Sequence, residues 1–419
     1  QIKKVEHLIK SKNYVEAELF LTQSYMNFGR LISYGQIEDV SDYYSFERRV
    51  LDTNWLAILD SGINRQTEII DLLSYQPQSD EYVRLQKGVS NYVKRVVLND
   101  STIKIREYRK DSIKTYQRAR KALVLHGVIM HDSISDSLLI EGVKKFQYEH
   151  GLTPDGVIGK GTAKELSRST NYFYKQAKVS LEKWRWTKEF EKEHIFVNIA
   201  TYKMKCYQNN KVEEIKRVVV GTNTTRTPEL DSKLNYMIAY PYWHVPRSII
   251  EGELVAKAKK DSTYLSRNGY ELFKGSEAVN SKKIDWSAGS NYKFRQKGGR
   301  SNALGHVKFI FPNKHSVYFH DTPSKRFFKK GRRSYSHGCI RVHEPLKLVD
   351  YLLKTDSASR YSLDTVETFI KNKTRKVVTL NKKMPVHIRY YTVEADSASN
   401  IRFYPDVYSK EKKLMKYKF

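Results

Sequence analysis

The stretch "YFHDTPSKRFFKKGRRSYSHGCIRV", residues 318–342, holds one of the two cysteines in a chain of 419 residues. Cys339 follows His337 and Gly338, stands two residues before Arg341, and lies nineteen residues after His320. A thiol is a few per cent ionised at neutral pH and becomes an effective nucleophile once an imidazole takes its proton. His320 ends the run "SVYFH", whose β-branched and aromatic residues read as a strand, so its side chain is offered at a strand end. Attack on a carbonyl builds an oxyanion, and a glycine-containing turn that ends at the nucleophile can aim main-chain N–H groups at it. Base, turn and nucleophile together describe acyl transfer through a thioester.

Two other readings stand beside this one. His306, His315, His320, His337, Cys339 and His343 fall within 38 residues, and imidazole with thiolate is a zinc donor set. Against a metal, the sequence has no HExxH, no paired CxxC and no acidic partner at fixed spacing. In the plainest reading Cys339 is a small buried residue and the histidines are surface groups. The second cysteine, Cys206, alternates with Tyr202 and Met204 in "TYKMKCYQ", as one half-buried face of a strand would. Parity permits a disulfide between the two, but a chain this poor in cysteine does not depend on one.

The elements that must position these residues fall into four zones. Residues 1–105 read as a helical scaffold, with apolar positions at helical intervals in "YVEAELFLTQSYMNFGRLI" and "NWLAILDSGINRQTEIIDLL". Residues 170–190 return to helix and rejoin it. Between them, 106–168 read as a three-helix module. Its first helix places Ile113, Tyr116 and Leu123 on one face and stops at Gly127. The second places Leu139, Val143 and Phe146 on another, and the third follows an Asp155-Gly156 turn. From 191 to 380 short strands dominate, "VKFIFPNKHSVYFH" forming a hairpin, interrupted by an insertion of about 241–300 with the character of a lid or binding element. Residues 381–419 are expected to form a C-terminal β extension. The fold class is multidomain α+β.

Composition bounds the partners. A net charge of +29 calls for a polyanion, a membrane surface or an acidic polymer. No zinc-finger spacing, RNA-recognition motif or basic zipper is present, which argues against specific nucleic-acid recognition. No run of eighteen apolar residues occurs, so no transmembrane segment is expected. The opening "QIKKVEHLIK" lacks the features of a signal peptide, so the chain is either cytosolic or begins after processing.

The run "VKKFQYEHGLTPDGVIGKGT" resembles the peptidoglycan-binding domain of bacterial wall enzymes, through Phe146-Gln147, His150-Gly151-Leu152, Asp155-Gly156, Ile158-Gly159 and Thr162. Most of these are helix-core and turn positions, so the resemblance speaks for the fold before any glycan contact by 106–168. "SHGCIRV" beside "HDTP", with "YPYWHVPRSI", "NALGHVKFIFPN" and "PVHIRYYTV", closely resembles the L,D-transpeptidases with a YkuD-type catalytic domain. The likeness is to the large multidomain periplasmic branch, which carries a substrate-capping insertion.

The resemblance implies Cys339 as nucleophile and His320 as general base, with Asp321 orienting the imidazole through its main-chain carbonyl. It implies an oxyanion pocket from His337, Gly338 and Cys339, with His337 also meeting substrate. Ser336, Arg341, Tyr318 and Trp243 become substrate-binding positions, Arg341 holding either a substrate carboxylate or a structural ion pair. The implied reaction uses no cofactor. It releases D-Ala from a tetrapeptide stem and passes the acyl group to another stem's amine, giving a 3→3 cross-link. Water as acceptor would make a carboxypeptidase or cross-link hydrolase, and a protein amine would give wall anchoring. A non-catalytic wall-binding scaffold is the reading from another class. A periplasmic or cell-envelope location follows from the family alone.

Overall fold

The computed structural model describes residues 2–37, 46–51, 53–110, 112–280, 284 and 292–417. The chain divides into two compact units, 1–190 with 390–419, and 191–389.

In the first unit the helices are α1 (Ile2–Lys10), α2 (Tyr14–Tyr34), α3 (Trp55–Arg65), α4 (Glu68–Ser74), α5 (Asp80–Arg95), α6 (Ser112–Leu125), α7 (Asp136–Glu149), α8 (Lys160–Leu166) and α9 (Thr170–Trp186). Side chains of Asn13, Asn54, Ser79, Ser135 and Ser169 cap α2, α3, α5, α7 and α9, each accepting from an otherwise orphaned amide of the first turn. Helix α9 packs on α2 and α5, so 170–186 returns to the scaffold. Helices α6–α8 enclose their own core of Ala119, Leu123, Leu139, Val143, Phe146, Ile158 and Leu166.

The α6 face differs from the sequence expectation. Ile113 is 72% exposed, and the buried positions are Thr115, Ala119, Ala122 and Leu123. At 100° per residue Thr115 and Ala122 lie roughly 160° and 180° around the helix from Ile113, so the buried face is centred away from it. In α7 the expected face is buried as read, with Leu139, Val143 and Phe146 at most 1% exposed. The motif residues of this module are spent internally. Gln147 Nε2 donates to Asp155, Val157 and Thr162, while its Oε1 accepts from the Gly156 amide, tying the turn at Gly156 (φ +76°) to the helix. The His150 ring stacks on Phe146 at 3.8 Å.

The second unit is built on nine strands, β1 (His194–Asn198), β2 (Lys203–Gln208), β3 (Lys211–Gly221), β4 (Leu230–Ala239), β9 (Val307–Ile310), β10 (Phe319–His320), β11 (Ser334–Ser336), β12 (Ile340–Val342) and β13 (Lys376–Arg389). Their order is β11-β3-β12-β10-β9-β4-β13-β1-β2, and β2 also pairs with β3, so the sheet returns on itself. The expected hairpin is the antiparallel pair β9 and β10.

The expected boundary at 380/381 falls inside β13. The polar run Asn381-Lys382-Lys383 resembles a turn, but a register shift between Thr379 and Met384 absorbs it and the strand continues to Arg389. Residues 390–419 belong to the first unit, where strands Val393–Ala395 and Ile401–Phe403 pair. A buried ion pair, Lys183 to Glu411 at 2.7 Å, fastens this tail to α9.

The expected insertion, 241–300, joins β4 to β9, which are neighbours in the sheet. Its residues 281–283 and 285–291 lie outside the described ones. The rest folds on its own core of Trp243, Leu254, Leu265, Leu272, Phe294 and Leu304. It contributes a sheet of order β5-β8-β6-β7, made of β5 (Trp243–His244), β6 (Tyr270–Lys274), β7 (Glu277–Val279) and β8 (Lys293–Gln296). A helix enters as α10 (Arg247–Ile249), widens into a π turn over Ile250–Leu254, and resumes as α11 (Val255–Lys260). Asn302 Nδ2 donates to the carbonyls of Pro241, Gln296 and Lys297, closing the two ends of the insertion together.

Candidate active site

Strand alternation builds the site. Phe319 pairs with Phe309 on one side and Ile340 on the other, and all three are fully buried. The next row, Lys308–His320–Arg341, therefore faces the opposite way. Tyr318 and Cys339 stand two residues before His320 and Arg341, on that same face. Across the parallel pair the thiol is opposite Tyr318 and diagonal to the imidazole.

This face opens on a cavity of about 540 Å³ lined by Tyr318, His320, Ser336, His337, Cys339 and Arg341 from the sheet, and by Trp243 and Glu253 among others from the insertion. Of the candidate residues, only Gly338 and Asp321 are absent from the lining. The Asp321 carbonyl accepts from His320 Nδ1 at 2.5 Å, while its carboxylate turns away to the His306 amide at 2.9 Å and to Lys325. A carbonyl can only accept, so Nδ1 carries the proton and Nε2 keeps its lone pair. Gly305 makes this possible. A Cβ there would sit 2.3 Å from the Asp321 carboxylate, and its φ of +62° is one that side-chain-bearing residues rarely adopt.

Burial drives the His320 pKa down to about 3, helped by the charges of Arg341, Lys308 and Lys325 and opposed by the Asp321 carbonyl. The imidazole is neutral at physiological pH, as a base must be. Burial pushes the Cys339 thiol up, while hydrogen bonds from the Tyr318 main chain and hydroxyl and the charges of Lys308 and Arg341 pull it back. The resting pair is a thiol beside a neutral imidazole.

The His-Gly-Cys turn differs from expectation in one respect. Gly338 has φ +114°, but its N–H donates to Ser336 Oγ at 3.2 Å and is already used. Ser336 Oγ in turn donates to the Cys339 carbonyl at 2.5 Å, so its hydroxyl braces the turn. Thr227 Oγ1 donates to the Gly338 carbonyl at 2.7 Å and Thr225 Oγ1 to that of Ser336 at 3.0 Å. The main-chain N–H groups of His337 and Cys339 make no hydrogen bond among the described residues, which leaves those two for an oxyanion. The His337 ring points into the insertion, its Nε2 2.8 Å from Glu253 Oε1. Arg341 makes no ion pair among the described residues, and its buried Nε has no partner. Of the two roles read for it, the structural ion pair is therefore not formed.

Two residues were missed by sequence reasoning. Lys308 Nζ sits 3.8 Å from the centre of the Tyr318 ring, within the electrostatic reach of the thiol. It alternates with the buried Val307 and Phe309 in "VKFIF", so the hairpin register would have placed it on the cleft face. Glu253 has no comparable signal, because its approach depends on the π turn. Among the described residues no group of three or more His, Cys, Asp or Glu is placed to hold a metal ion. Cys206 and Cys339 are both free thiols, and Cys206 is fully buried, not half-buried.

A sheet that returns on itself thus presents Cys339 and His320 to one cavity that the insertion also lines. Residues 192–388 match the L,D-transpeptidase catalytic domain, and residues 109–166 match the "Putative peptidoglycan binding domain". A Haemophilus influenzae protein named "Putative L,D-transpeptidase" is 33% identical over 224 residues, 52% of this chain and 45% of that protein. The chain is thus matched over less than half the length of that relative. Among solved structures, an L,D-transpeptidase from Stackebrandtia nassauensis is 14% identical, covering 70% of this chain and 96% of its own, with a TM-score of 0.24. One from Mycobacterium smegmatis is 14% identical over 47% of this chain and 58% of its own, with a TM-score of 0.23. No described helix is long and apolar enough to cross a membrane.

Proposed function

We propose that the protein is a peptidoglycan L,D-transpeptidase of the cell envelope, in the periplasm, that forms 3→3 cross-links through an acyl thioester on Cys339. The observation that carries this reading is the shared cavity, in which thiol, neutral imidazole, two unused amides and an unpaired arginine face one volume. His320 Nε2 takes the proton of Cys339, and the sulfur attacks the carbonyl between the third stem residue and the terminal D-Ala. The amides of His337 and Cys339 stabilise the oxyanion, as two aimed donors in a partly closed site would. The imidazolium then protonates the departing D-Ala amine, leaving the thioester. An amine of a second stem attacks it, and the last proton returns through His320 to the sulfur. Arg341 holds a stem carboxylate, using donors that have no other partner. Trp243 and Tyr318 form the apolar walls along the stem.

The positive charge of the chain suits a substrate whose stems carry carboxylates. The module at 109–166 brings the protein to the wall. The test is incubation with a tetrapeptide muropeptide, followed by mass spectrometry. Transfer yields a D-Ala-free dimer, whereas a tripeptide alone would mean hydrolysis. A Cys339→Ala protein that still released D-Ala would overturn the reading. So would failure of the unaltered protein to form a covalent adduct with a carbapenem.

A further inference from the structure

The acylation steps leave one acid in the cavity without a task. Glu253 lies in the π turn Ile250–Leu254, a local widening of a helix that re-aims side chains and recurs at functional sites. Its neighbour Glu251 pairs with Arg247 at 2.7 Å on the helix surface, whereas Glu253 lines the cavity. Glu253 Oε1 lies 2.8 Å from His337 Nε2 and Oε2 3.2 Å from Lys257 Nζ. Among the described residues lining the cavity it has the only carboxylate, in the company of Lys257, Arg341, His315, His320 and His337. A cleft that served only to gather stem carboxylates would be weakened by an anion at this point. Burial works against ionisation of Glu253, but hydrogen bonds and charge from Lys257 and His337 hold its carboxyl below the ordinary range. A charged acid facing the nucleophile's turn is suited to a cation that arrives there.

We infer that Glu253 is the docking group for the acceptor's primary ammonium, which takes the place of the His337 ring on Oε1 and is thereby delivered to the carbonyl bound to Cys339. This rests on the thioester reading above and names the acceptor chemistry of the same site. The docked ammonium gives one proton to solvent and becomes an amine. Its nitrogen forms the new C–N bond, the C–S bond breaks, and the second proton passes through His320 to the sulfur. Water, lacking the positive charge, gains nothing from Glu253, so the residue favours transfer over hydrolysis.

The experiment compares two acceptors on the full chain acylated by tetrapeptide. One is a tripeptide stem with a side-chain ammonium, and the other is hydroxylamine, uncharged at neutral pH. Glu253→Gln keeps the size and the oxygen that accepts from His337, and removes only the charge. The ratio of amine product to hydroxamate is expected to fall about tenfold, the worth of one charge-assisted contact. Glu253→Asp, which keeps the charge, should retain more of that ratio than Gln. An equal fall with both acceptors, which a merely structural latch would give, would overturn the inference, as would no fall with either. Absence of any acyl-enzyme in the unaltered chain would be seen first, and would remove the thioester reading together with it.

Discussion

Cys206 and Cys339 stand in the same unit with opposite surroundings. Cys206 is in β2, paired with Ile195 on β1 and Glu214 on β3, and burial pushes its thiol up to about 12. Cys339 is also raised by burial, yet it faces a cavity, with Lys308 and Arg341 within electrostatic reach and the Tyr318 hydroxyl as donor. The histidines repeat the contrast. His126 and His150 are buried among Phe146 and Phe173 in the first unit, and burial lowers His126 to about 4. His320 is lowered by the same cause but keeps a lone pair aimed at open volume. Burial shifts a pKa in either setting. What separates chemistry from packing is a cavity on the unprotonated atom and a partner whose charge can change.

The largest expected effect comes from removing the nucleophile. Cys339→Ala should lower D-Ala release by at least about 10³-fold, whereas Cys206→Ala should leave release intact and cost roughly 1–2 kcal/mol of stability by opening a small void. Product analysis and denaturant unfolding would report the two halves. His320→Gln comes next, with a loss of about 10²–10⁴-fold in kcat/KM. Lys308→Met should raise the thiol pKa and slow alkylation by iodoacetamide at neutral pH by about tenfold, one pKa unit. The same substitution leaves Cys206 as unreactive as before, which sharpens the contrast within one protein.

A last effect, confined to the first unit and away from the site, is on stability against pH. A histidine held below its unfolded pKa of about 6.5 binds fewer protons folded than unfolded. Its contribution is therefore complete above pH ~6.5 and lost as pH falls toward the folded value. For His126 that window runs from about 6.5 down to about 4, a loss of up to ~3 kcal/mol. His126→Gln should flatten this part of the acid unfolding curve, measured as the denaturant midpoint against pH. A curve unchanged by the substitution would mean that the ring does not titrate on unfolding.

How much of this was legible before any coordinates depended on whether the information was local. Alternation in "VKFIF" and "SVYFH" gave the hairpin, and the strand end gave His320. The Asp321 contact expected of its main-chain carbonyl is the one made to His320 Nδ1. The α7 face was readable because its apolar residues are spaced at true helical intervals. In α6, where alanines and a threonine make the buried face, conspicuous Ile113 drew the reading to the wrong side. The 380/381 boundary failed because three polar residues in a strand look like a turn when a register shift is invisible. The Gly338 amide failed because the competing acceptor, Ser336 Oγ, depends on side-chain geometry. Glu253 was out of reach because a π turn and a contact spanning 84 residues place it at His337.

The most direct measurement is the mass of the intact protein after brief exposure to tetrapeptide, followed by peptide mapping. The account predicts an adduct equal to the stem less D-Ala, lost in hydroxylamine and confined to the peptide that carries Cys339. An adduct on any other peptide, or D-Ala released while residue 339 stays free throughout turnover, would contradict it.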